Sequence, residues 1–216
     1  MQELDRLRAG ADPDRAARIA ARHKTGRETL GVPPEHVEAL AAEWRAALDI
    51  DARIALARAL WDSDIHEARL TAARLLVQAR MRPDDAAWQI ILDWAPQVDG
   101  AEIGDAVMAT AARRLVASPV RLDDIEPWVQ DANPWLRRSV LTATGPWARM
   151  NNLKPADRDI RDRVLGWAHD LAGDRNGAVR QAVATWLRDL EKHDPDRAAA
   201  WRAERDARAA ENDQER

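Results

Sequence analysis

A pattern of apolar and charged residues recurs four times along this 216-residue chain and limits the fold more than any other feature. Each copy spaces its apolar residues three and four apart, as one face of a helix requires. The copies occupy residues 66–76, 102–115, 133–149 and 178–190, and they align Arg69, Gly104, Arg137 and Arg180. The steps of 35, 33 and 43 residues between these positions are typical of HEAT-like helix pairs. One such pair cannot bury its own apolar face, so neighbouring pairs must stack.

Helix-start signals divide the rest of the chain, and no segment alternates apolar and polar residues as a half-buried strand does. Pro13 and Pro34 each begin a predicted helix, and Asp51 is the expected N-cap of another. Six tryptophans fall on apolar stripes and are expected in the core: Trp44, Trp61, Trp88, Trp94, Trp128 and Trp167. The sequence therefore predicts an all-α fold, a HEAT-like helical-repeat superhelix or α-solenoid.

The composition fits a soluble, helix-rich protein, since 46% of the residues are hydrophobic and 32% are charged. No apolar run approaches the roughly 20 residues that a membrane span needs, and the N-terminus lacks the apolar core of a signal peptide. Without cysteine the chain forms no disulfide and no thiolate metal site. No long linker divides it, so we expect a single cytoplasmic domain over residues 1–216, with frayed ends at 1–11 and 205–216.

The net charge of −4 argues against a nucleic-acid partner, but positive charge is concentrated near the N-terminus. Between residues 14 and 27 the only acid is Asp14, and the basic residues are Arg15, Arg18, Arg22, Lys24 and Arg27. Such a cluster is either a solvated helix face or part of a nucleic-acid-binding surface. Taken alone, the pattern favours the solvated face.

Most familiar catalytic motifs are missing from the sequence. It has no phosphate-binding glycine loop, and its three serines lie in no nucleophile motif. None of the five histidines has another histidine three or four residues away, so the sequence predicts no metal site and no cofactor. His66 is interpreted as a packing or capping residue in the first turn of its helix.

Four segments resemble the AlkD-type DNA alkylation-repair glycosylases: LGVPPEHVEALAAEW at 30–44, ALWDSDIHEARLTAARLL at 59–76, PWLRRSVL at 134–141 and VRQAVATWLRDLEKHDPDR at 179–197. They occur in the order found in that family, and the resemblance extends over about residues 15–200. It implies a superhelix of HEAT-like repeats whose concave, basic groove holds double-stranded DNA. It also implies excision of positively charged N3- and N7-alkylated purines, without turning the base out into a pocket.

The resemblance places the family's catalytic aspartate at Asp105. A carboxylate near the deoxyribose stabilises the positive charge that develops as the glycosidic bond breaks. The family's two active-site tryptophans align with Ala101 and Thr185, and Trp186 lies one position, or about 100°, further round its helix. Asp105 has a second interpretation, because the helix dipole also favours a carboxylate near the start of a helix.

The same resemblance predicts the residues that hold the DNA. These nucleic-acid-binding residues are Trp135, Arg137, Arg138 and Arg180, joined by Lys24 and Arg27 from the basic cluster. A solvated ridge or an ion pair between helices is the alternative for Arg137 and Arg138. We expect the protein to act as a monomer on alkylated double-stranded DNA, with no membrane and no metal as partner.

Three functions remain open on the sequence alone. The leading hypothesis is a DNA alkylation-repair protein that hydrolyses the N-glycosidic bond of alkylated purines. Substitution of both tryptophan positions favours a non-catalytic HEAT-like module that binds DNA or protein. Ten tryptophans without any Phe, Tyr or Cys fit either a GC-rich genome or an engineered helical-repeat scaffold with no selected function.

Overall fold

Helices form nearly all the regular structure in the computed structural model, which describes residues 2–23, 25–78 and 80–214. The α-helices are α1 (Gln2–Arg8), α2 (Pro13–His23), α3 (Pro34–Ala47), α4 (Ile50–Asp62), α5 (His66–Leu76), α6 (Asp85–Trp94), α7 (Ala101–Ala117), α8 (Leu122–Ile125), α9 (Pro134–Ala143), α10 (Gly145–Arg149), α11 (Pro155–Leu171), α12 (Gly177–His193) and α13 (Pro195–Gln214). Short 3-10 helices lie at Ala95–Gln97, Pro119–Arg121 and Glu126–Gln130. The described residues contain no strand and one isolated bridge, between Glu28 and Ile65. The predicted all-α helical-repeat class is confirmed.

The helix starts follow the sequence signals, with one difference at α4. Pro13 and Pro34 are the first residues of α2 and α3. Helix α4 is capped by Asp49, whose side chain accepts the Ala52 N–H at 2.8 Å, so the predicted cap, Asp51, was wrong by two residues. Both aspartates suit a helix start: Asp49 satisfies a free N–H, and Asp51 lies in the first turn, where the helix dipole favours a carboxylate.

The chain forms two compact units, Met1–Pro119 and Val120–Arg216, each with its own apolar core. All six tryptophans predicted for the core are buried, and Trp61 stacks on Trp94 with 4.2 Å between ring centroids. Leu7 of α1 is also fully buried. Among the described residues, none of the helices combines the length and the apolarity that crossing a membrane requires. Organisation as a single domain stays a prediction.

Interactions between neighbouring repeats recur at a separation of 36 or 37 residues within each unit. Examples are the hydrogen bonds Arg6–Glu43, Arg27–Asp64, Trp61–Gln97, Arg137–Asp174 and Trp201–Leu165. Contacts at this separation therefore join neighbouring repeats in both units, although others span 35 to 42 residues. The recurring separation is close to the 35- and 33-residue steps found in the sequence.

A turn before α3 is built around Gly31 and the buried Glu67 of α5. The Glu67 carboxylate accepts the N–H of Leu30 at 2.9 Å and the N–H of Gly31 at 2.8 Å. The N–H of Asp12 donates to the Leu30 carbonyl at 2.9 Å, so the turn also holds the start of α2. Gly31 has a φ of +77°, a left-handed conformation that favours glycine.

Candidate functional site

Asp105 lies on α7, and it lines a cavity of about 410 Å³ in the first unit. The cavity is lined by Glu38, Arg45, Leu70, Arg74, Val77, Glu102, Asp105, Ala106 and Ala109. Asp105 itself is exposed, and the small side chains of Ala106 and Ala109 leave the adjacent surface of α7 open. A ligand can therefore reach the Asp105 carboxylate from solvent.

The charged side chains of α3 and α5 that line this cavity form ion pairs with one another. Glu38 accepts from Arg74 Nε at 2.9 Å and from Arg45 Nη2 at 3.3 Å. Arg45 Nη1 also donates to the backbone carbonyl of Arg74 at 2.6 Å. With Glu102 and Asp105, the lining holds three carboxylates and two guanidinium groups. Arg22, which lies outside the lining, pairs with Glu102 at 3.0 Å, so three guanidinium groups balance the three carboxylates.

Glu102 lies one turn before Asp105 on the same face of α7. Its Oε2 atom is 3.0 Å from Arg22 Nη2, 3.0 Å from His23 Nε2 and 3.5 Å from His66 Nε2. The His66 ring is the main influence that lowers the pKa of Glu102 to about 2, and His23 and Arg22 add to it against the opposing effect of burial. Glu102 is therefore ionised at neutral pH.

The two positions that align with the family's tryptophans carry no aromatic ring. Ala101 is the exposed first residue of α7 and lies one turn before Asp105. Thr185 is exposed on α12, whereas Trp186 is 2% exposed and packs in the core of the second unit. The Trp186 ring therefore lies among core side chains rather than at the surface.

Arg137 and Arg180 have the same structural role at the starts of α9 and α12. Before α9, the Asp131 carboxylate accepts the Asn133 N–H at 2.7 Å. Arg137 Nη1 then donates to the carbonyls of Asp131 at 2.7 Å and of Ala132 at 3.1 Å. The arginine thus closes the turn that precedes its own helix.

The turn before α12 repeats this arrangement. The Asp174 carboxylate accepts the Asn176 N–H at 2.7 Å, and Arg180 Nη1 donates to the carbonyls of Asp174 at 2.6 Å and of Arg175 at 3.0 Å. Arg137 also links the two turns, because its Nε and Nη2 donate to the Asp174 carboxylate at 2.6 and 2.9 Å. The equivalence of the two arginines in the sequence repeat is therefore also structural.

The predicted DNA-contacting residues of the second unit differ in accessibility. The Arg137 side chain is 18% exposed and engaged with Asp174. Trp135 and Arg138 are half-buried in the first turns of α9, and Arg180 is exposed. Of these four residues, Arg180 presents the most accessible surface.

Arg180 also lines a second cavity, of about 420 Å³, within the second unit. Its lining includes the arginines Arg180, Arg188, Arg202 and Arg205, and its acidic member is Glu191. Glu191 accepts from both terminal nitrogens of Arg202, at 2.9 and 2.7 Å. Arg205 pairs with Asp206 at 2.8 Å, so it is the positive charge of Arg180 and Arg188 that favours an anionic ligand in this second cavity.

The two predicted contacts from the N-terminal cluster have different outcomes. The Arg27 side chain is 8% exposed and donates to Asp64 at 2.7 Å and to Asp99 at 2.8 Å. Burial alone would lower the pKa of Arg27, but its hydrogen bonds to Asp99 and Asp64 raise the pKa overall. Arg27 therefore bridges Asp64 and Asp99 within the first unit. Lys24 lies outside the described residues.

Comparison with known proteins decides the family. The sequence pattern of the DNA alkylation repair enzyme family matches residues 4–211. The chain belongs to this family. None of the curated proteins compared with it matches. Membership of the DNA alkylation repair enzyme family gives the protein a role in DNA repair.

Two solved structures share the fold of this DNA alkylation repair family member. One is described as a predicted DNA alkylation repair enzyme from Enterococcus faecalis, with a TM-score of 0.73, 16% identity, and coverage of 90% of this chain and 89% of the other. The second is smu.31 from Streptococcus mutans UA159, with a TM-score of 0.60, 18% identity, and coverage of 87% of each chain. At these identities the similarity establishes the fold alone.

We predict that Asp174→Asn destabilises this family member by about 1–3 kcal/mol at neutral pH, because charged hydrogen bonds from Arg137 are lost. The hydrogen bonds from Arg137 hold the pKa of Asp174 below its usual range. A lowered folded-state pKa gives stability that is present above the unfolded value of about 3.9 and is lost as pH falls through the folded value. Denaturant unfolding at pH 7 and at pH 3 should therefore show a smaller acid-induced loss for Asp174→Asn than for the wild type.

The matched control for Asp174→Asn is Asp131→Asn, which changes the equivalent residue of the preceding turn. Either asparagine can still accept the N–H two residues later, as the carboxylates of Asp131 and Asp174 do now. Only Asp174 accepts the paired Nε and Nη2 hydrogen bonds of Arg137. Equal acid sensitivity in both variants would contradict the assigned role of the Arg137–Asp174 pair.

Sequence reasoning did not identify most of the residues that line the Asp105 cavity. Glu38, Arg45 and Arg74 reach it from α3 and α5, and no local motif links them to α7. Glu102 could have been found, because a residue three before Asp105 lies on the same helix face. The arginines of the second cavity likewise come from two helices, α12 and α13.

Proposed function

We propose that this family member is a DNA N-glycosylase that excises N3- and N7-alkylated purines from double-stranded DNA. The observation that supports this most directly is the position of Asp105, an exposed carboxylate that lines a cavity open to solvent. Family membership supplies the role in DNA repair, and the resemblance to AlkD-type enzymes supplies the assignment of Asp105. The proposed reaction requires no cofactor and no metal.

In the proposed reaction, the bond between C1′ of the deoxyribose and the purine nitrogen breaks. The electron pair goes to the purine, which leaves as a neutral base because alkylation had made it cationic. Positive charge develops on the sugar as an oxocarbenium ion, and the Asp105 carboxylate stabilises that charge electrostatically. Water then adds to C1′ and releases a proton to Asp105 or to solvent, leaving an abasic site.

The substituted tryptophan positions reduce the rate that we expect. An aromatic face beside a cation contributes about 0.5–2 kcal/mol, and each 1.36 kcal/mol changes a rate about tenfold. Ala101 and Thr185 supply no such face. Excision is therefore slower than with both aromatic rings present, while the contribution of Asp105 remains.

Trp135, Arg138 and Arg180 are proposed to contact the sugar-phosphate backbone of the DNA. The resemblance to AlkD-type enzymes and the arginine-rich cavity beside Arg180 support this proposal. Arg137 and Arg27 belong to the same predicted set, but a phosphate would have to displace their aspartate partners. Lys24 completes the set. We further propose that the protein acts as a monomer in the cytoplasm.

A non-catalytic module that binds DNA or protein is the second candidate function. The absence of aromatic side chains at positions 101 and 185 favours it, because those positions would contact the lesion in the glycosylase hypothesis. A DNA-binding module still requires phosphate contacts, whereas a protein-binding module or an unselected scaffold does not.

The experiment that tests the glycosylase proposal is single-turnover release of 7-methylguanine and 3-methyladenine from alkylated duplex DNA. We expect release of free base by the wild-type protein, together with duplex affinity that falls steeply with salt, since each phosphate contact releases counterions. Salt-sensitive binding without release would replace the proposal with the DNA-binding module. If neither is observed, the proposed DNA substrate is wrong.

A further inference from the structure

Three side chains that the proposed reaction does not use converge beside the Asp105 cavity. His23 is the last residue of α2, His66 is the first residue of α5, and Glu102 lies in the first turn of α7. One nitrogen or oxygen atom from each lies within 4.8 Å of the other two. The three residues are far apart in the sequence, so no short local motif reveals the cluster.

The distances in this cluster are close to those around a bound transition metal. Zinc bonds to imidazole nitrogen and carboxylate oxygen at about 2.0–2.2 Å, so two ligand atoms at a tetrahedral angle lie about 3.3 Å apart. Glu102 Oε2 is 3.0 Å from His23 Nε2 and 3.5 Å from His66 Nε2. The nitrogens of His23 and His66 lie within 4.8 Å of each other, so side-chain rotations would have to bring these two atoms closer for all three to contact one ion.

The unsatisfied nitrogen of His66 is an independent indication of a ligand. His66 is 4% exposed, and among the described residues its Nε2 atom has no hydrogen-bond partner. Buried polar side-chain atoms in folded proteins are in large majority hydrogen-bonded, so each exception requires an explanation. Glu102 Oε2 lies 3.5 Å from this nitrogen, which is longer than a normal hydrogen bond, so the contact does not satisfy it.

Arg22 already brings positive charge to two of the three ligand atoms. Its Nη2 atom lies 3.1 Å from His23 Nε2 and 3.0 Å from Glu102 Oε2. Arg22 Nη2 donates to the Glu102 carboxylate, and His23 Nε2 lies 3.0 Å from the same oxygen. The Arg22 side chain is 67% exposed, so it can turn into solvent and leave these two atoms to a metal ion.

We infer that His23, His66 and Glu102 form a binding site for a divalent transition metal ion of the zinc class. Two imidazoles and a carboxylate are a common ligand set for zinc, whereas magnesium and calcium prefer oxygen ligands alone. Three protein ligands leave a fourth position for water. The expectation of no metal from the sequence considered histidine pairs on one helix, and these ligands come from three helices.

Metal titration of the full-length protein tests this inference without measuring base release. Cobalt(II) added to the wild-type protein should give the visible absorption bands of tetrahedral coordination at one ion per chain, and zinc should displace it. Glu102→Gln and His23→Gln should each weaken zinc binding by roughly 100-fold or more, since even residues behind the ligands cost about 10- to 100-fold. Both residues are only half-buried, so these variants avoid the folding risk of a change at His66.

Two further variants separate this site from incidental metal binding. Arg22→Ala should bind zinc several-fold more tightly, because the competing guanidinium is removed. His36→Gln, which changes an exposed histidine outside the cluster, should bind as the wild type does. Absence of saturable binding in the wild type, or unchanged affinity in Glu102→Gln and His23→Gln, would overturn the inference. None of these outcomes depends on whether the protein is a glycosylase.

Discussion

Asp105→Asn is expected to slow the release of 7-methylguanine from duplex DNA by roughly 10²- to 10³-fold, the usual effect of removing one group that stabilises transition-state charge. Asparagine keeps the size and hydrogen-bonding capacity of the side chain but loses its negative charge. The carboxylate is needed only while the deoxyribose is positively charged, so duplex affinity should be nearly unchanged. Single-turnover rates and binding curves measured on the same DNA separate the two effects.

Two control variants make the Asp105 result specific. Asp51→Asn removes an exposed charge from the first turn of α4, and it should release base at the wild-type rate. Glu38→Gln changes another carboxylate of the same cavity and should have a smaller effect than Asp105→Asn, because the resemblance to AlkD-type enzymes assigns the catalytic role to Asp105 and not to Glu38. Unchanged release by Asp105→Asn, with release lost in Glu38→Gln, would transfer the catalytic role to Glu38.

Features that depend on local sequence were predictable. Apolar spacing of three and four residues identified the helices, and prolines marked the first residues of α2 and α3. The six core tryptophans were also identified, because a stripe of apolar residues on a helix has to be buried somewhere. The aspartates at the start of α4 show the limit of this reasoning, since Asp49 and Asp51 both suit a helix start and the pattern cannot choose between them.

Features that depend on contacts between repeats were not predictable from local patterns. Arg27 looked like a free cation in a basic cluster, yet Asp64 and Asp99 pair with it from 37 and 72 residues away. His66 looked like a packing residue, although it lies opposite Glu102, which is 36 residues further on. These separations are close to one or two repeat lengths. A repeat alignment that also compared charges at that spacing could therefore have identified all three pairs.

Gly31→Ala is expected to lower the free energy of unfolding by about 3–5 kcal/mol, combining backbone strain with overpacking. The residue has a φ of +77°, where an L side chain is strained. A Cβ atom there would also overlap the Asp12 carbonyl oxygen and lie 2.6 Å from the Ala16 nitrogen. Both neighbours are backbone atoms, so the start of α2 would have to move, which would weaken the Asp12–Leu30 hydrogen bond.

Gly26→Ala provides the matched control, because Gly26 has a similar positive φ, of +72°. A Cβ atom at Gly26, unlike one at Gly31, would have nothing within 4 Å. The cost of Gly26→Ala is the left-handed conformation alone, about 1–2 kcal/mol. Denaturant unfolding of both variants therefore separates conformational strain from the close approach of α2. Equal losses of unfolding free energy in the two variants would mean that the Gly31 turn does not lie in close contact with the start of α2. A larger loss for Gly31→Ala would show that this turn, with its two amides bonded to Glu67, fixes the start of α2 against α5.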